Sequence, residues 1–179
     1  MNEVLEKALF DEIYEEKTNP DINKIKNILK SGININAVDE NGYNYLIAEI
    51  MRLNYNLYLQ INKNECSESY EIKNQVFKDN LPNLDFSIIK LLLEYGIDVN
   101  YKVPDEDSAL YNALYVPAPE LIELLLKYGA NPNYINEDNE NILDVAYMEL
   151  FYYERLMGND FGKRNIETII EILIKYGAK

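Results

Sequence analysis

The stretch Leu121-Ile-Glu-Leu-Leu-Leu-Lys-Tyr-Gly-Ala-Asn-Pro-Asn133 decides the fold. Its apolar side chains recur at helical spacing, and Lys127 stands in the last turn. Gly129 follows where a helix needs a left-handed closing residue. Upstream, Pro119 stands in a first-turn position, where the missing N–H is tolerated. Three further stretches end in the same way: Ile25-Lys-Asn-Ile-Leu-Lys-Ser-Gly-Ile-Asn-Ile-Asn36, Ile88-Ile-Lys-Leu-Leu-Leu-Glu-Tyr-Gly-Ile-Asp-Val-Asn100 and Ile169-Ile-Glu-Ile-Leu-Ile-Lys-Tyr-Gly-Ala178. The closing glycines Gly32, Gly96, Gly129 and Gly177 lie 64, 33 and 48 residues apart. The middle interval is a repeat period, and the outer two read as that period lengthened by insertions.

The segments between these endings also correspond. They run Asp39-Glu-Asn-Gly-Tyr-Asn-Tyr-Leu46, Ser108-Ala-Leu-Tyr-Asn-Ala113 and Asp138-Asn-Glu-Asn-Ile-Leu-Asp-Val-Ala146. Asn44, Ser108 and Asn141 offer a side-chain oxygen to cap a helix start. Leu46, Leu110 and Leu143 share one apolar position. Gly42 and Asn139 occupy a turn position that favours positive φ, where Glu106 departs from the pattern. Together with the terminators, these segments resemble the ankyrin repeat over nearly the whole chain. The departures are specific: Tyr111 and Asp144 stand where that family has a structural histidine, and Glu49 replaces a small alanine.

The resemblance implies an all-α, short ankyrin-type solenoid of about four helix-turn-helix repeats, in one domain over residues 1–179. The units are 1–36, 37–100 with a polar insertion at 60–84, 101–133 and 134–179, with a second insertion in the fourth. The expected helices lie near 3–17, 21–31, 44–60, 85–95, 108–115, 118–128, 141–157 and 165–176, with a glycine-containing loop around 158–162. No helix pair of this kind buries its own apolar face, so stacking must complete the core. The last helix is as apolar as an interior one. Either helix 141–157 folds over it or it forms a contact surface, which leaves a monomer or a homodimer through the C-terminal helix.

Composition narrows the function. The 179 residues carry 31 acidic and 17 basic side chains, a formal net charge of −14. That balance disfavours nucleic acid and anionic membrane surfaces and favours a basic protein partner. Cys66 is the single cysteine and there is no histidine, which removes an intrachain disulfide, histidine-ligated metals and histidine-activated nucleophiles. No phosphate-cradling glycine loop and no calcium-loop spacing occurs, so neither a catalytic site nor a cofactor is expected. The N-terminus has no signal-peptide pattern and no apolar run reaches membrane-spanning length, so a reducing cytoplasm is the expected location.

The resemblance also implies that turns and first helices carry a protein-binding surface. Its candidate residues are Glu40, Asn41 and Tyr43 in the second unit, Asp105, Asp107, Tyr111 and Tyr115 in the third, and Glu137, Asp138 and Glu140 in the fourth. Superposed turns would set these carboxylates in a comb, with tyrosines as rigid contact area. Small acidic ankyrin-like proteins of bacteria look like immunity proteins that neutralise toxins, and this chain is similar in size and charge. Two alternatives stand beside that expectation: a scaffold or host-directed effector gripping a cellular protein through its concave face, and, more remotely, an enzyme with unrecognised carboxylate chemistry.

Overall fold

Asp21 caps the first sharply amphipathic segment. Its side chain accepts from Asn23 N–H at 2.9 Å and Lys24 N–H at 3.2 Å. The computed structural model describes residues 2–14, 20–62, 75, 77–103, 107–136, 138–156 and 160–179, and its described residues are mostly helical. In chain order the helices are α1 (Asn2–Tyr14), α2 (Ile22–Lys30), α3 (Tyr45–Asn62), α4 (Ser87–Glu94), α5 (Ala109–Asn112), α6 (Pro119–Lys127), α7 (Ile142–Phe151) and α8 (Asp160–Lys175). A 3₁₀ turn, Ala113–Tyr115, extends α5, and a π-helical turn, Tyr152–Leu156, extends α7. The Pro117 and Pro119 pair stops the α5 segment, because proline removes a helical N–H and disfavours the α conformation before it.

The helices form two layers. In one, α1 packs on α3, α3 on α5, and the 3₁₀ turn after α5 on α7. In the other, α2 packs on α4 and α6 on α8. A continuous core runs between the layers from Leu9 through Ile47, Leu92, Leu110 and Leu125 to Leu173. Gly32, Gly96, Gly129 and Gly177 close α2, α4, α6 and α8 at φ between 77° and 92°, the left-handed region their positions predict. Pro119 opens α6 in its first turn.

Several expectations are corrected. The last loop does not extend to Gly162: α8 already begins at Asp160, and Gly162 is buried within it. A Cβ there would collide with the Tyr153 ring, so this glycine serves close approach and not a turn. Helix 141–157 is α-helical only to Phe151. The insertion at 60–84 is not a wholly polar excursion. Helix α3 continues to Asn62, and Phe77 and Leu81 return to the core. The Phe77 and Tyr153 rings pack edge to face with their centres 5.6 Å apart. Cys66 and the stretch 15–17 lie outside the described residues.

Of the three expected caps, two form. Asn44 Oδ1 accepts from Ile47 N–H at 3.0 Å. Asn141 accepts from Leu143 and Asp144 N–H at 2.9 and 3.0 Å, while Asp144 accepts back from Asn141 N–H at 3.2 Å. This reciprocal capping box uses Asp144 as its third helical residue. Ser108 makes no side-chain cap. Glu49 does not loosen its surroundings: it is fully buried and holds Arg52 through two bonds of 2.6 and 2.8 Å. Burial pushes its carboxyl up from the ordinary range and the guanidinium opposes that shift.

Candidate functional site

Between successive helix pairs the chain turns back through three isolated antiparallel bridges, Val38 with Asn44, Lys102 with Ser108 and Ile135 with Asn141. Each bridge spans six residues and ends on a first-helix cap position. In the first turn, Asp39 Oδ1 accepts from Asn41 N–H and Tyr43 N–H, both at 2.9 Å. In the last, Asn136 Oδ1 accepts from Glu140 N–H at 2.8 Å. Gly42 at φ 86° and Asn139 at φ 61° occupy the same left-handed position, which asparagine tolerates better than most side chains. The two turns are therefore one structure written in different residues.

These turns expose Glu40, Asn41 and Asp138 to solvent, with Tyr43, Asp107 and Glu140 half-buried. Glu140 Oε2 also accepts from Asn136 Nδ2 at 3.2 Å. Asp105 and Glu137 lie outside the described residues. Lys102 interrupts the acidic series: its Nζ donates to the Tyr134 hydroxyl at 3.0 Å and sits 5.2 Å from that ring's centre.

The tyrosines are where the sequence reading needs correction. Tyr111, expected on a contact surface, is buried, and its hydroxyl donates to the carbonyls of Tyr134 and Glu140 at 2.7 and 3.1 Å. It is an internal strut from α5, just after the second turn, to the third turn, because its long side chain reaches that turn's backbone. Tyr101 does the same one step earlier, donating to Gly42 C=O at 2.7 Å. Tyr14 donates to Asp39 Oδ2 at 2.8 Å, tying α1 to the first turn. Burial first, and then the nearby Asp39, push the Tyr14 hydroxyl well above the ordinary phenol range. Tyr115 alone among the helix tyrosines chosen from sequence is exposed; burial of its base and the nearby Asp107 push its hydroxyl up.

A second regularity escaped the sequence reading although its signal was present. After three of the closing glycines, an Asn or Asp two residues on accepts from the N–H of an Asn four residues on. The pairs are Asn34 with Asn36, Asp98 with Asn100, and Asn131 with Asn133, at 3.1, 2.9 and 2.9 Å. The second Asn of each pair then reaches the following unit. Asn36 Oδ1 accepts from Asp98 N–H at 2.8 Å, and Asn100 Oδ1 from Asn131 N–H at 2.8 Å. Asn133 Nδ2 donates to Gly177 C=O at 3.0 Å. This ladder fixes how each terminator sits on the next, and with it the alignment of the turns.

The sequence reading also missed the outer side of α7, where Tyr147, Met148 and Phe151 are exposed, with Tyr152 just beyond. The signal was a helix with more apolar residues than one buried face can hold, and the surplus must be covered or serve as a contact.

No protein-family model matches the chain, and no curated protein matches its sequence. Among the described residues no cluster of three or more His, Cys, Asp or Glu side chains could hold a metal ion. No helix among them is long and apolar enough to cross a membrane.

Proposed function

We propose that this chain is a short ankyrin-type stack that binds a basic protein one-to-one through its row of acidic turns. The observation that carries the reading is the repeated bridged turn, which sets Glu40, Asp107, Asp138 and Glu140 on one kind of structural element. Tyrosine struts and the asparagine ladder hold those turns in fixed alignment, so little ordering is required when a partner docks. The net charge of −14 would draw a basic protein in and accelerate encounter. A small, strongly acidic, pre-organised binder suits stoichiometric neutralisation of a basic toxin, and we assign it that immunity-type role. Tyr111 is removed from the contact set by its burial, which also weakens a concave-face grip built on Tyr111 and Tyr115.

The test is capture of binding proteins at low and moderate salt, followed by stopped-flow association with the basic protein recovered. Replacing Glu40, Asp107, Asp138 and Glu140 with their amides is expected to slow association by about tenfold or more at low ionic strength. An unchanged rate, or a captured partner whose binding ignores salt, would overturn the reading.

A further inference from the structure

Positions three residues before each closing glycine are equivalent by the repeat register. Leu29, Leu93 and Leu126 are 4–5% exposed, yet Ile174 at the same place is 52% exposed. The first helices show the same break. Ile50 and Leu114 are fully buried, and their counterpart Tyr147 is 53% exposed. Following elements pack on most of these earlier helices: α4 on α2, α5 on α3, α7 on the 3₁₀ turn after α5, and α8 on α6. The outer face of α7 and α8 is thus a stacking surface, with Tyr147, Met148, Phe151 and Ile174 on it.

Charge says what covers it. The helical part of the last unit, residues 141–179, holds six acidic and five basic side chains, while residues 1–140 carry the remaining net −13. A basic protein is drawn to the strongly acidic part and gains little field at this end. A second copy meets almost no repulsion here. One face of α8 exposes Arg164, Glu167, Glu171 and Lys175 beside Ile174. An antiparallel crossing near Thr168 sets Arg164 of each copy against Glu171 of the other, the self-complementarity a two-fold interface requires. Half-exposed side chains of this size leave on the order of 100 Å² apiece to cover. With a polar rim, two such faces reach the lower end of specific interfaces, about 1,200 Å² in total.

We propose that two copies of this chain associate end to end through the outer face of α7 and α8, leaving both rows of acidic turns free. The surface differs from the one proposed for the basic partner, so either reading can fail without the other. The experiment is sedimentation equilibrium of the full chain from micromolar to sub-millimolar concentration, at low and high salt. The expected result is a concentration-dependent mass approaching twice 20.9 kDa. Because apolar contacts dominate, it should persist at high salt. Ile174→Glu and Tyr147→Glu change exposed side chains, and each is expected to give a monomer with unchanged helical circular dichroism and, at concentrations where the parent is monomeric too, an unchanged thermal midpoint. Tyr58→Glu, an exposed tyrosine on α3, should leave the dimer intact. A monomer at every concentration, or a dimer that survives both α7 and α8 substitutions, would overturn the proposal.

Discussion

The two ends of the stack are built to opposite rules. At the N-terminal end α2 turns Asn23, Lys24, Lys26, Asn27 and Lys30 outward and buries Ile25, Ile28 and Leu29. Buried Glu12 of α1 accepts from Asp21 N–H at 2.9 Å and pairs with Lys24, so even the joint between these helices ends in charge. At the C-terminal end α8 buries Ile169, Ile170 and Leu173 against its neighbours but leaves Ile174 outside, and α7 leaves Tyr147, Met148 and Phe151. A row of helix pairs needs a polar face wherever it meets water. The difference teaches that one side of the row presents a polar face and the other an apolar one.

The sharpest way to break this comparison is to place one substitution at equivalent positions. Leu126→Glu puts a carboxylate into the core and is expected to cost more than about 4 kcal/mol, enough to unfold a domain of this size. Ile174→Glu, measured by urea denaturation at concentrations low enough to keep the chain monomeric, should change stability by no more than about 0.5 kcal/mol. Equal losses would show that the C-terminal face is covered after all.

Tyr111→Phe sharpens the comparison at the last internal junction. It deletes the hydroxyl that ties α5 to the third turn and is expected to cost about 1–2 kcal/mol. Hydrogen exchange should show the loss in α7 and α8 first, with α1 and α2 still protected. A uniform loss would mean that the junction is no weaker than the rest.

The smallest effect is in pH. Burial pushes the Glu149 carboxyl up, on the same helix as the exposed stripe. A group with a raised folded pKa binds its proton more readily in the folded chain. Its stabilisation is complete below the ordinary carboxylate range and is lost as pH rises through the raised value. The thermal midpoint should therefore climb as pH falls from neutrality toward that range, and Glu149→Gln should flatten the climb. A slope unchanged by this substitution would place the effect in the general charge of the chain instead.

Helix existence and the glycine stops were legible because each rests on local chemistry: apolar spacing, a capping oxygen, a residue free to take positive φ. Asn44, Asn141, Gly42 and Asn139 all behave as their types suggest. What sequence could not show depends on which side chain meets which across the row. Tyr111 and Tyr115 are four residues apart and alike in type, yet one is an internal strut and the other is exposed. Gly162 is a packing glycine only because Tyr153 lies against it. Of the candidate carboxylates, Glu40 and Asp138 were legible as exposed turn residues, while the partial burial of Asp107 and Glu140 and the tyrosines that brace the turns were not.

The asparagine ladder has a consequence for chain length. Corresponding rungs close over 62 residues between Asn36 and Asp98, 31 between Asn100 and Asn131, and 44 between Asn133 and Gly177. Since closure entropy grows only with the logarithm of the loop, doubling the span adds about 0.6 kcal/mol. Lengthening the polypeptide between rungs is thus nearly free, whereas shifting a rung by one residue would misalign everything beyond it. The chain can absorb long detours and still keep its turns in line.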